Sequence, residues 1–170
     1  MARRLLEDFP KIKFSVSATT REPRDGETDG KDYYFLSKEE FNRQISDGGF
    51  LEWEEFYNGT LYGTLRTEVD KLIKSGYFPL LDIEVKGALN VKKIYGAACV
   101  SIFIKPPSLE ELERRLIHRG TETKQALALR LERAEKEITY ADQFDYVVVN
   151  DDLDTAYKQV KEIVESFIAY

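Results

Sequence analysis

Phe78-Pro79-Leu80-Leu81-Asp82-Ile83-Glu84 is the stretch on which the fold turns. From Phe78 to Ile83 the apolar residues run on without the polar alternation of a half-buried strand. That pattern predicts a strand covered on both faces. Two further apolar strands are read downstream, Cys99 to Ile104 and Tyr146 to Val149. Helices are predicted around them, from about Ala88 to Ile94, from Ser108 to about His118, from about Thr123 to Tyr140, and from Leu153 to Ile168. Ser108 with Glu111 forms a capping-box pattern. Apolar strands alternating with helices imply a parallel α/β sheet.

Upstream, Met1 to Phe9 reads as the tail of a helix stopped by Pro10, and Ile12 to Val16 alternates like a strand. The region from Tyr33 to Tyr62 differs in character from the downstream half. Ala18 to Asp32 reads as a polar loop punctuated by Pro23, Gly26 and Gly30, and Tyr33 to Leu36 as a short strand. Ser37 and Glu40 make a capping box for a helix that Gly48-Gly49 ends. Phe50 to Phe56 and Thr60 to Tyr62 flank Asn58-Gly59, a strong hairpin signal. A further helix runs to about Lys74 and stops at Gly76. Short strands of mixed polarity and a hairpin predict a small antiparallel insertion beside the main sheet.

The 170 residues suffice for one domain with a sizeable core. With 42% hydrophobic and 33% charged residues the chain reads as soluble and globular, and its longest apolar runs are too short to span a bilayer. No secretory leader opens the sequence. The net charge of −6 argues against nonspecific nucleic-acid binding, while leaving local arginine clusters free to bind small anions. One cysteine, Cys99, cannot form an internal disulfide; in its apolar run it reads as a buried thiol in a reducing cytoplasm. One cysteine and one histidine, His118, exclude a cysteine/histidine zinc site.

Four clusters carry the chemistry. Ser17 to Arg24 places Arg21 and Arg24 in a hydroxyl-rich loop followed by Tyr33 and Tyr34; guanidinium forks match phosphate oxygens, although a solvated polar loop has the same composition. Phe50-Leu51-Glu52-Trp53 with Tyr62-Gly63-Thr64 offers a carboxylate that either lines a cleft or faces water, and alternation alone favours water. A carboxylate in a cleft suits guanine, whose N1–H and N2–H₂ both donate. Asp82, after an apolar run, stands where α/β folds place ligands, or else it orders a loop. Arg115 and Arg119 are four apart on one helix face, with Arg130 in the next helix. They either close over phosphates as a lid or form a solvated face with glutamate partners. His118 reads as an exposed bystander.

In order and spacing these clusters resemble guanylate kinases, over Phe14 to about Tyr157. The resemblance rests on Ser15-Val16-Ser17-Ala18-Thr19-Thr20-Arg21, Gly30-Lys31-Asp32-Tyr33-Tyr34-Phe35, Phe50-Leu51-Glu52-Trp53, Leu81-Asp82-Ile83, Pro106-Pro107-Ser108, Arg119-Gly120-Thr121 and Val148-Val149-Asn150-Asp151-Asp152-Leu153. It implies one α/β domain, residues 1–170, with a parallel-sheet P-loop kinase-like core (1–17 and 78–170). It further implies a GMP-binding insertion (about 18–77) and a helical lid (about 115–130). The implied activity is transfer of the γ-phosphate of ATP to GMP with Mg²⁺, by a cytoplasmic monomer or homodimer. The implied GMP phosphate ligands are Arg21, Arg24, Tyr33 and Tyr62, with Ser17 beside them. Glu52 and Thr64 read guanine, with Asp82 and Glu84 nearby, and Asp82 is a candidate for Mg²⁺ through the nucleotide. Arg115, Arg119 and Arg130 grip the ATP phosphates and Asn150 lies near the adenine.

Three departures accompany it. Glu84 and Lys86 stand where the family usually has Asp and Gln. The turn from Asn58 to Leu61 is about one residue longer than is common. The family's G-x-x-x-x-G-K-[ST] loop occurs nowhere in this sequence. Met1 to Leu6 resembles the helix that follows that loop, so the resemblance implies that a strand and loop of about 15 residues stand ahead of it. A chain beginning at Met1 is then expected to bind ATP poorly. A loop-less relative would instead be an inactive module binding GMP or a phosphorylated protein partner.

Overall fold

Parallel strand pairs form in three separate places. In the computed structural model, which describes residues 1–56, 59–119 and 124–169, the chain divides into two compact units, Met1–Ile94 and Tyr95–Tyr170.

The first unit opens with helix α1 (Ala2–Asp8) and strand β1 (Ile12–Phe14), then β2 (Ala18–Thr19), β3 (Tyr34–Phe35), α2 (Lys38–Ser46), β4 (Phe50–Glu55), β5 (Leu61–Leu65), α3 (Arg66–Lys74), β6 (Phe78–Leu80) and α4 (Val85–Tyr95). β1 and β6 pair in parallel, with Ile12 opposite Phe78 and Phe14 opposite Leu80. Only three residues of the predicted Phe78–Ile83 strand join this ladder, and they are half-buried rather than covered on both faces. Ser15 N–H still donates to Leu80 C=O at 3.0 Å, after which the ladder ends and Leu81 to Glu84 leave it. α4 starts at Val85, three residues earlier than predicted.

The insertion is a four-stranded sheet in the order β3-β2-β5-β4. It is mixed rather than antiparallel: β2 runs parallel to β3, while β5 is antiparallel to both β2 and β4. The predicted polar loop from Ala18 therefore begins as a strand, with Ala18 and Thr19 fully buried. The predicted capping box on α2 is present in both directions, with Glu40 N–H donating to Ser37 Oγ and Ser37 N–H to the Glu40 carboxylate. The β4–β5 hairpin forms, and β5 runs on to Leu65. Gly59 takes a φ of +74°, the left-handed region glycine enters without steric cost; Asn58 lies outside the described residues.

Ala18, Phe41, Phe50 and Leu61 make the core of this sheet against α2. The Phe41 and Phe50 rings stack with centroids 4.3 Å apart. Tyr34 ties β3 to α3 through its hydroxyl, which donates to Glu68 Oε2 at 2.8 Å. Burial and that bond push its pKa up to about 12.

The second unit contains β7 (Ile102–Lys105), α5 (Leu109–Arg119), α6 (Lys124–Ile138), β8 (Tyr146–Val149) and α7 (Leu153–Ile168). β7 pairs in parallel with β8, from Ile102 opposite Tyr146 to Lys105 opposite Val149. Ahead of both strands, Ser101 N–H and Oγ donate to Asp145 Oδ2 at 2.8 and 2.9 Å, and Asp145 N–H returns to Ser101 Oγ at 3.1 Å. This exchange fixes the register. β7 is shorter than predicted: Cys99 precedes it and is half-buried, not a core thiol. β8 matches its predicted span, but Val148 alone of its side chains is buried. α7 turns Ala156, Tyr157, Val160 and Val164 inward at helical spacing. Glu111 N–H donates to Ser108 Oγ at 3.1 Å, the forward half of the predicted box.

Truncating the fully buried Phe41 to Ala removes a stacked ring from the small core of the insertion. Denaturant melts are expected to show a loss of about 3–5 kcal/mol.

Candidate functional site

A register shift in β4 decides the site. Between Phe50 and Glu52 the pairing with β5 slips, so the chain departs from strict alternation. Phe50, Leu51 and Glu52 are all buried, at 8%, 5% and 9% exposure, and Trp53 turns out at 47%. Alternation favoured a water-facing Glu52; the bulge corrects that reading. Glu52 Oε1 accepts from Thr64 Oγ1, directly across the β4–β5 ladder, at 2.5 Å. Burial pushes the carboxyl above its ordinary pKa, and the Thr64 bonds only partly offset this.

Glu52 faces a cavity of about 370 Å³ that also meets Ser17, Tyr33, Tyr62, Asp82 and Glu84. Six of the nine residues predicted for GMP thus share one cavity, and a seventh, Thr64, holds the Glu52 carboxylate. The early end of the β1–β6 ladder carries Asp82 and Glu84 to this wall. Gly63 of the second cluster lines it as well, with Glu54 and Phe56, which the sequence had not marked.

Arg21 stands beside it. Its guanidinium lies over the rings of Tyr33, at 5.0 Å, and Phe35, at 5.6 Å. Tyr33 in turn meets Tyr62 edge-on at 6.1 Å. Both Arg21 end nitrogens donate to Glu27, each at 2.6 Å, which raises the arginine's pKa further. Arg24 N–H donates to the same carboxylate at 2.8 Å, while the Arg24 residue is exposed. Glu27 therefore clamps the loop that carries both arginines. Six residues of irregular chain have no fixed geometry, so spacing alone gives no sign of the pair. Arg21 first, then the Arg24 N–H, holds the Glu27 pKa down to about 2.

The second unit holds the remaining predicted residues. Arg115 Nε donates to Glu111 at 2.6 Å, and its end nitrogens donate to the carbonyls of Asn150, at 2.7 Å, and Asp151, at 2.9 Å. Two predicted site residues, Arg115 and Asn150, are thereby brought together. Arg119 closes α5, its side chain lying outside the described residues together with 120–123. Arg130 and His118 are exposed. Among the described residues no group of three or more His, Cys, Asp or Glu side chains is placed to hold a metal ion, and no helix is long and apolar enough to cross a membrane. Asp82 is an exposed single carboxylate beside Glu84 in the cavity wall. Oxygen donors of this kind suit Mg²⁺ when a nucleotide supplies the other ligands.

Parallel strand pairs, with a polar cavity walled by a small mixed sheet and an arginine at its side, define an α/β protein built to hold a small polar ligand. The guanylate kinase family model matches residues 1–167, and the chain belongs to that family. It is 52% identical over 169 residues to a guanylate kinase of Salinibacter ruber, covering 99% of this chain and 89% of that one. It is 49% identical to a guanylate kinase of Chlorobaculum tepidum, covering 99% and 86%. The crystal structure of guanylate kinase from Anaplasma phagocytophilum aligns over 97% of this chain and 79% of that one, with a TM-score of 0.77 and 38% identity.

The Glu27 clamp has a pH signature. Its folded pKa lies below the ordinary 4.5, so its contribution to stability is complete above 4.5 and is lost as the pH falls toward 2. A carbon-detected NMR titration of the Glu27 carboxyl is expected to show a midpoint near 2. In Arg21→Ala the midpoint is expected to move back toward 4.5; an unmoved midpoint would assign the effect to the Arg24 N–H instead.

Proposed function

We propose that this chain transfers the γ-phosphate of ATP to GMP, giving ADP and GDP, and that Glu52 is the group that selects guanine. The observation that carries the reading is a buried carboxylate on a cavity wall, held by a hydroxyl, with no cation bonded to it in the described structure. Desolvation makes such a carboxylate a strong acceptor, and guanine N1–H and N2–H₂ are the neutral donors that fit it. Thr64 fixes its orientation. Arg21, Arg24, Tyr33 and Tyr62 hold the GMP phosphate, with Ser17 beside them; Asp82 and Glu84 line the same wall. Arg115, Arg119 and Arg130, in a lid of about residues 115–130, grip the ATP phosphates, and Asn150 lies by the adenine. The setting is a cytoplasmic monomer or homodimer.

The chemistry asks no nucleophile of the protein. Rate comes from aligning the GMP phosphate oxygen with the γ-phosphorus and from stabilising charge on the transferring group. Asp82 would be the protein contact for Mg²⁺, which would supply charge neutralisation on the ATP oxygens when bound. A buried Glu52 also argues against a phosphopeptide-binding module, in which that carboxylate would find no donors.

The sequence contains no G-x-x-x-x-G-K-[ST] loop, so acceptor binding and transfer are measured separately. By calorimetry, GMP is expected to bind and AMP and UMP to bind far more weakly; equal binding of all three would sink the guanine reading. Two hydrogen bonds to a charged group contribute about 3–6 kcal/mol. Glu52→Gln is therefore expected to weaken GMP by 10²-fold or more without lowering the melting temperature, since it removes a buried charge. A coupled assay for ADP tests transfer. GMP-dependent turnover would show that the ATP phosphates are held without the family's loop.

A further inference from the structure

Gly87 is buried in the first turn of α4 and its backbone is helical, with a φ outside the left-handed region. At such a position the chain itself accepts alanine, ordinarily the better helix residue. The obstacle is Glu52. A Cβ built on Gly87 would lie 2.6 Å from Glu52 Oε2 and 3.0 Å from its Cδ and Cγ. The carboxylate therefore sits in a slot, with the Thr64 hydroxyl bonded to one oxygen and the bare Cα of Gly87 against the other.

We propose that Gly87 is a positioning residue for base selection, its missing side chain being the space that lets the Glu52 carboxylate lie where it meets guanine. The proposal rests on the reading of Glu52 given above. It differs from a packing role in what it obstructs. A Cβ at Gly63 would meet the Glu52 backbone carbonyl at 2.9 Å and the Phe50 ring at 2.8 Å, groups that cannot move without disturbing the sheet. The three atoms nearest a Cβ at Gly87 all belong to the Glu52 side chain, which can swing away. The fold survives and the carboxylate is displaced from Thr64 and from the ligand.

The test is a double-mutant cycle on the full chain, with binding of GMP and of inosine monophosphate read by calorimetry and folding read by thermal melts. Inosine monophosphate keeps the N1 donor and lacks the 2-amino group. Gly87→Ala is expected to keep or raise the melting temperature, to weaken GMP about 10- to 100-fold, the worth of one hydrogen bond to a charged group, and to bring the GMP-to-IMP preference toward one. Added to Glu52→Ala, it is expected to cost nothing more. Weakening that persists in the Glu52→Ala background would overturn the proposal, as would an unchanged GMP-to-IMP preference. If Glu52→Ala itself leaves GMP binding unchanged, the reading of Glu52 fails and this proposal with it. If Glu52→Ala weakens GMP and Gly87→Ala does not, this proposal fails alone. Should Gly87→Ala not fold, the double variant is expected to fold, because the atoms it meets are gone; a double variant that also fails to fold would assign Gly87 to packing.

Discussion

A strand that alternates strictly places residues two apart on the same face, and the organisation of the cavity follows from the place where β4 breaks that rule. The slip between Phe50 and Glu52 lets Phe50 complete the core with Phe41 while Glu52, two residues on, stays inside as well. Without the bulge, the two side chains would point to the same face and compete for the core around Phe41. With it, one strand serves the core and the cavity at once, and the apolar residues that stabilise the sheet also set the position of its buried carboxylate. The energetic burden is the desolvation of Glu52, visible in its raised pKa and only partly relieved by Thr64. Burdens of this kind concentrate where a ligand supplies the missing donors.

Charge is handled locally in both units. The cavity wall carries Glu52, Glu54, Asp82 and Glu84, in keeping with the net charge of −6. Two of the arginines that the sequence singles out, Arg21 and Arg115, already have partners. Arg21 is forked onto Glu27 and laid across two aromatic rings, and Arg115 spends its donors on Glu111 and two backbone carbonyls. Each is pre-set in direction, which lowers the entropy cost of any later contact. For Arg115 the same bonds anchor α5 to the end of β8.

Much of this was legible in the sequence, for reasons that differ by element. The α2 capping box, the Gly59 hairpin and the Tyr146–Val149 strand rest on local chemistry, and each formed where local chemistry put it. Phe78–Ile83 was legible as a strand but not in length, because hydrophobicity marks burial and not hydrogen bonding; the ladder ends where its partner β1 ends. The parallel pairing of β2 with β3 was hidden, since two-residue strands carry no period. Glu52 was misjudged by alternation for a physical reason: bulges are set by the partner strand. Glu27 and Gly87 were invisible because their roles are defined by what stands opposite them in space, across an irregular loop and a helix–strand contact.

The Arg21–Glu27 fork also changes what an incoming phosphate would encounter. A bare guanidinium gains a full ion pair when an anion arrives, and that gain is strongly screened by salt. Arg21 already has its counter-charge, so an arriving phosphate competes with or joins a carboxylate instead of meeting an open cation. Salt weakens the outgoing pair and the incoming pair alike, and the two effects largely cancel. Ligand capture at such an arginine becomes an exchange between anions, sensitive to the shape and charge number of the newcomer more than to ionic strength. With Arg21 as the proposed phosphate ligand, the loop would discriminate a dianionic phosphate from a singly charged carboxylate by having a carboxylate of its own as the standard.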